Sequence, residues 1–340
     1  MRAPKHLMVF RFSAMGDVAM LLPVLRCLYQ QNPDIRVTLV TRKHLNPIFK
    51  ELTDLQIFNP DFEGRHKGFR GLYQLFKELK ALKPRRIADV HNVLRTAVLR
   101  FFFASQPLVR TKKLDKGRQE KIKLTQLKRK TLKPLTPQLY RYAEVFTKLG
   151  YTLDLGRHEF PPKPIPPTFN DHLQDPNHKW IGIAPFAAHK GKVYPLDFMQ
   201  KVIGYLQQEH SLFLFGHGPE EETQMEIWTR AYPNVYRPKI SFSEELDLIA
   251  NLDVMISMDS ANGHLAANYG VPVLTLWGMT HPFLGFAPFG QDNHLIVDRV
   301  LFPKTPTSTY GNKIPKGYEK AMRSISPESV IEKTLEILNR

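Results

Sequence analysis

The sequence predicts an α/β chain built as two doubly wound, Rossmann-like domains, and three observations carry that prediction. Short apolar runs alternate with helix-patterned stretches along most of the 340 residues, as in a parallel sheet flanked by helices. The alternation weakens after Thr96 and restarts at Trp180, beyond the most proline-rich stretch, residues 160–169 (FPPKPIPPTF). Prolines at that density oppose both helix and central strand, so the stretch reads as a linker. The length also exceeds what a single core usually fills, about 250–300 residues. The resulting division is a first domain over 1–160, a linker over 161–175, a second domain over 176–320 and a closing helical segment over 321–340.

In order, strands are expected at 6–12, 36–41, 55–58, 86–91 and, weakly, 108–109. Helices are expected at 18–29, 43–52, 73–82 and 138–149, the last stopped by Gly150. The second half brings strands at 180–184, 211–215, 254–257, 273–277 and 294–297. Its helices are expected at 195–207, 220–231, 244–251 and 264–269. Residues 303–317 read as loop. Ser326-Pro327-Glu328 supplies an N-cap, a proline at the first helical position and an acid in the first turn, so 328–338 closes the chain as a helix.

Charge and cysteine content narrow the function. Lys and Arg number 48 against 32 Asp and Glu, a net of +16, which points to an anionic partner: nucleic acid, phospholipid or a phosphorylated metabolite. Between Lys83 and Lys133 the acids are Asp89, Asp115 and Glu120 alone among many Lys and Arg. That run is either a solvated face or a surface for acidic ligands. Cys27 is the single cysteine, which excludes an intramolecular disulfide and a cysteine zinc site and fits a reducing compartment. The N-terminus lacks a secretory apolar segment, and no apolar run approaches the ~18–20 residues of a membrane span. A cytosolic protein, or one resting on a membrane surface, is expected.

Candidate chemistry gathers where strands end. Residues 253–282 (DVMISMDSANGHLAANYGVPVLTLWGMTHP) read as strand, polar turn, helix and strand. In open α/β sheets the carboxyl ends of strands hold ligands. Asp259, Ser260 and the helix that follows suit a phosphate, with Gly278 and Thr280 at the next strand's end. His264, behind the Asp259 turn, is either a packing residue or a phosphate or ribose contact. After the first strand, Asp17 either complements a helix dipole or acts as a general base, and position alone favours the first. Lys190 and Lys192 follow the strand at 180–184 and either neutralise a diphosphate or are ordinary surface residues. Gly216 precedes Glu220, Glu221 and Glu222, any of which would bind a ribose hydroxyl or complement a helix dipole. The dinucleotide glycine fingerprint and the Walker lysine motif are missing, as are metal-binding histidine pairs. No metal and no cofactor are expected.

The same residues resemble glycosyltransferase family nine, the ADP-heptose–lipopolysaccharide heptosyltransferases. MDSANGHLAA with GVPVLTLWGMTHP is similar to that family's D-[ST]-G-x-x-H-L-A-A and G-x-T-x-P signature. Residues 12–18 (FSAMGDV) resemble its S-x-G-D-V turn, and 89–95 (DVHNVLR) its D-x-x-x-x-l-R segment. Residues 192–195 (KVYP) resemble its K-R-W-P, and 216–222 its G-G-x-x-E turn. The resemblance covers nearly the whole chain.

It implies a GT-B fold, two Rossmann-like domains facing across a cleft, with acceptor on the first, donor nucleotide on the second and the closing helix crossing back toward the first. It implies inverting, metal-independent transfer of a heptose from ADP-heptose to a lipopolysaccharide inner-core or lipid A acceptor. Asp17 becomes the general base, and Lys192 holds the diphosphate. The donor site comprises Lys190, Lys192, Gly216, Glu221 or Glu222, Asp259, Ser260, Ala261, Gly263, His264 and Thr280. The acceptor site comprises Ser13, Met15, Gly16, His91, Arg95 and Arg118. The basic 83–133 region would meet phosphorylated acceptor and anionic lipid at the inner face of the inner membrane. The apolar patch at 99–103 reads as core in preference to membrane contact.

Three departures bear on substrate. Ala261 stands where the family has glycine, Val193-Tyr194 replace its Arg-Trp, and 303–317 lacks the cysteines of many relatives. The alternatives are a family member using another nucleotide sugar or acceptor, and, in another class, a basic nucleic-acid-binding protein. The latter leaves the donor-site motifs unexplained and predicts salt-steep binding without ADP affinity.

Overall fold

The computed structural model describes residues 6–126, 132–167 and 178–340. Residues 168–175 of the expected linker, and Lys128, Arg129 and Lys130 of the basic run, lie outside the described residues. The chain forms two compact units: Met1–Lys116 with Gln138–Glu159, and Gly117–Pro137 with Phe160–Arg340.

The first unit is a five-stranded parallel sheet of order β3-β2-β1-β4-β5. Its strands are β1 (His6–Phe10), β2 (Arg36–Val40), β3 (Gln56–Phe58), β4 (Arg86–Asp89) and β5 (Arg110–Lys113). Every residue of β1 is buried, as a central parallel strand covered on both faces requires. β5 is an edge strand at 110–113, not 108–109, and three of its four residues are exposed cations; charge of this kind blunts a sheet edge. The helices are α1 (Met15–Ala19), α2 (Leu22–Gln31), α3 (Gly68–Ala81), α4 (Leu94–Ala104) and, past a segment belonging to the other unit, α6 (Gln138–Lys148). The helix expected at 18–29 is thus two. The one expected at 43–52 is a 3₁₀ stretch, Lys43–Phe49, with Pro47 inside it, where the missing N–H breaks the α-helical ladder.

The second unit begins with α5 (Arg118–Leu124). Residues 117–137 group with it although the sequence reading kept 1–160 together. Leu135 N–H donates to the Phe283 carbonyl at 2.9 Å, and Lys121 Nζ lies 4.1 Å from the Phe286 ring centre. The six-stranded parallel sheet has order β11-β10-β9-β6-β7-β8. Its strands are β6 (Lys179–Ala184), β7 (His210–Leu214), β8 (Val235–Tyr236), β9 (Val254–Met258), β10 (Val273–Trp277) and β11 (His294–Ile296). Its remaining helices are α7 (Leu196–Leu206), α8 (Pro219–Ala231), α9 (Phe242–Ala250), α10 (Ala261–Ala267) and α11 (Pro327–Leu338). Ser326 caps α11, accepting from Ser329 N–H at 3.1 Å. This closing helix, expected to run back toward the first domain, buries Val330 and Ile337 in the second unit's core with Met199, Val202 and Ile203 of α7.

In each unit the chain starts in the middle of its sheet, winds to one edge, then crosses to build the other half. The strand order reverses between β1 and β4 in the first unit and between β6 and β9 in the second. Ligands of open α/β sheets bind outside the strand ends at such reversal points.

Candidate functional site

At the first unit's reversal point, β1 runs into Arg11, Phe12 and Ser13 before α1 opens. Asp17 sits in the first turn of α1. Its Oδ2 lies 2.5 Å from Arg11 Nη2, with Arg11 only 5% exposed and Asp17 32%. Arg11 Nη1 also donates to the Val90 carbonyl at 2.9 Å, and its guanidinium lies 5.6 Å from the Tyr142 ring centre. Tyr142, fully buried on α6, donates its hydroxyl to the Asp17 carbonyl at 3.3 Å. A buried guanidinium needs such partners. The result is a carboxylate held in place from behind and presented to solvent. Ser13, Met15 and Gly16 lie half-buried beside it.

The other side of this point is the end of β4. Asp89, buried and paired with Arg100, accepts backbone N–H bonds from His91 at 3.1 Å and Asn92 at 2.7 Å. Asn92 has φ +47, which asparagine tolerates better than most residues. His91 Nδ1 accepts from Phe12 N–H at 3.4 Å, tying the β4 turn to the β1 turn. Burial first, and then the cations Arg11, Lys116, Arg95 and Arg42, push the His91 pKa down to about 3. His91 is thus a neutral hydrogen-bonding group and no cation for an acceptor phosphate at neutral pH. Arg95 is exposed, its guanidinium 4.9 Å from the Phe62 ring centre. Arg118 opens α5, which groups with the second unit; the chain leaves the first unit after Lys116.

At the second unit's reversal point, β6 leads to the one-turn helix Lys190–Lys192, and β9 to Asp259 and α10. Lys192 Nζ is 2.8 Å from Asp259 Oδ2, with side chains 16% and 8% exposed, and it donates to the Asp259 carbonyl at 3.0 Å. Crowded backbone fixes this lysine. Met279 N–H donates to the Gly191 carbonyl at 2.7 Å, and a Cβ on Gly278 would strike that same carbonyl. Gly311, at φ +78, lies against the Lys192 stem, where a side chain would not fit. Lys190 is exposed and lines a cavity of about 360 Å³ with Tyr194, Met279, Tyr318 and Arg323.

Ser260 precedes α10, and its hydroxyl lies 3.1 Å from that of Ser257. Ala261 begins the helix without positive φ, so the missing glycine brings no strain. Gly263 faces inward: a Cβ there would contact Ser257, Pro288 and Val273, making it a helix–sheet packing position. His264 is buried in α10. Thr280 is buried at the end of β10, and its Oγ1 finds no partner among the described residues. Glu221 Oε2 accepts from His217 N–H at 2.8 Å and so braces the Gly216 turn after β7, whereas Glu222 pairs with Arg237 at 3.0 Å. Gly218, with φ +108, sits just before α8.

Comparison with known proteins decides the family: the model of glycosyltransferase family 9 (heptosyltransferase) matches residues 72–312. The chain belongs to that family. Like the rest of the family it is a glycosyltransferase, with the GT-B fold. The lipopolysaccharide core heptosyltransferase OpsX of Haemophilus influenzae is 21% identical over 301 residues, covering 86% of this chain and 84% of that protein. A family 9 glycosyltransferase from Veillonella parvula superposes with a TM-score of 0.75 at 20% identity, over 100% and 99% of the two chains. The Escherichia coli heptosyltransferase WaaC, solved with ADP, superposes at 0.68 with 17% identity over 98% and 99%.

Sequence reasoning missed Arg11, Tyr142 and Gly311. The first had a signal, a lone cation ending an otherwise apolar strand (HLMVFRF), since a buried charge demands a partner. Tyr142 looked like any apolar-face residue of α6. Residues 303–317 read as plain loop, yet Thr305, Thr307 and Ser308 are buried, and Thr307 and Ser308 N–H both donate to the Met279 carbonyl.

Proposed function

We propose that this enzyme moves a heptose or related sugar from ADP-heptose to a lipopolysaccharide inner-core or lipid A acceptor, with inversion and without a metal. Asp17 accepts the proton of the acceptor hydroxyl. That oxygen then forms a bond to the anomeric carbon as the carbon–oxygen bond to the β-phosphate breaks, and ADP departs with the electron pair. Lys192 stabilises the negative charge that develops on the leaving diphosphate, and Asp259, Ser260 and Thr280 line the donor beside it. Glu221 or Glu222 holds the adenosine ribose. The observation that supports this reading best is Lys192, a cation fixed at the reversal point of a Rossmann-ordered sheet by Asp259, Gly191 and Gly311. The ADP bound in WaaC and the lipopolysaccharide core named for OpsX support the choice of nucleotide and acceptor. An acceptor anchored in lipid would keep the enzyme at the inner face of the inner membrane.

Calorimetric titration with ADP, UDP, GDP and CMP tests the donor. Saturable binding of ADP with at least about tenfold preference, unaffected by a chelator, is expected. A clear preference for another nucleotide overturns the ADP-heptose assignment.

A further inference from the structure

The first unit carries an aromatic face that its own core does not use. Phe69 is 65% and Phe101 72% exposed, with Tyr73 and Leu94 also in solvent. Phe69, Tyr73 and Lys77 are four residues apart on α3, and Leu94 and Phe101 seven apart on α4, so each set forms one stripe. Phe102 joins the stripes, its ring centre 5.5 Å from Phe69, 5.4 Å from Tyr73 and 6.0 Å from Phe101. Below it, Phe76 meets Phe103 at 4.9 Å and roots the cluster in the core. The expectation that 99–103 is core thus holds for Leu99 and Phe103 and not for Phe101.

The exposed charges of α3 itself are all cationic. Lys67, Arg70, Lys77 and Lys80 are exposed on α3 or its approach, and Lys77 Nζ stands 5.6 Å from the Tyr73 ring centre. The one acid of α3, Glu78, is engaged with Arg65 and His66. We infer that the α3–α4 face docks the enzyme on an anionic lipid bilayer. Its rings enter the headgroup–acyl boundary while lysine and arginine stems lie along them and place their charges among lipid phosphates. A second copy of the chain fits less well, because a two-fold contact through this face would bring like-charged α3 rims together. The inference rests on this face alone and does not depend on the donor or on Asp17.

Co-sedimentation without substrate tests it, using vesicles of phosphatidylcholine alone or mixed with phosphatidylglycerol. The wild-type protein is expected on the mixed vesicles, less so as salt rises. Phe69→Ser/Phe101→Ser should weaken that binding about tenfold or more. Val300→Ser, at an exposed apolar residue of the second unit, should leave it unchanged. Thermal unfolding and ADP titration report whether the double variant is intact. If it does not fold, Arg70→Glu/Lys77→Glu carries the test, again with a loss of about tenfold or more. The proposal is overturned if the wild type binds neither vesicle or if folded variants bind as it does. It is also overturned if ultracentrifugation shows the aromatic variant splitting a dimer instead.

Discussion

The two reversal points use the same device with opposite polarity. Each holds a carboxylate against a cation where the strand order turns. In the first unit the cation is the buried member, Arg11 at 5%, and the carboxylate Asp17 stands out at 32%. In the second the carboxylate is the more buried member, Asp259 at 8%, and Lys192 at 16% is the more accessible. Which partner faces outward decides what a site offers. A partly accessible carboxylate steadied from behind can take a proton, and a partly accessible ammonium steadied from behind can meet a phosphate. On the proposed function, one sheet topology would serve two halves of a reaction by exchanging which charge is hidden.

Removing the outward charge in the first unit should have the largest effect. Asp17→Asn keeps the shape and the Tyr142 contact to the backbone but removes the proposed base. Transfer should fall by about 10²–10⁴ in kcat with ADP affinity unchanged; near-normal turnover in a direct assay would refute the assignment. In the second unit, Lys192→Met should lower kcat by about 10²–10³ and also weaken ADP binding in calorimetry. If ADP affinity and turnover both survive, the comparison fails on that side.

A smaller effect concerns stability and is centred on His91 of the first unit. Burial chiefly, and neighbouring cations next, lower the folded His91 pKa to about 3 from an unfolded value near 6.5. Between those values the unfolded chain binds a proton that the folded one does not. Stability is therefore fully present above about pH 6.5 and is lost as pH falls toward 3. His91→Gln should flatten this acid dependence by about 2 kcal/mol between pH 7 and 5, read from urea unfolding at both values. His158, lowered to about 4 mainly by burial, keeps part of the slope in the variant, and an unchanged slope would show that His91 titrates normally.

The sequence by itself determined the alternation of strand and helix, the break between two α/β halves and the motifs around Asp17, Lys192 and Asp259. These are local: burial on both faces makes β1 and β9 continuous apolar runs, and ligand-facing turns must follow strands. Helix details were less legible where neighbours decide them, as with the division of 15–31 into two short helices. The tertiary structure alone decided the rest. It joined Arg11 to Asp17 and Tyr142, set Gly311 against Lys192, left Lys190 exposed and moved 117–137 into the second unit. It also left Phe69 and Phe101 in solvent. Each of these depends on partners distant in the chain, and a residue's own periodicity does not say which charge of a pair is buried or which ring of an apolar run meets the core.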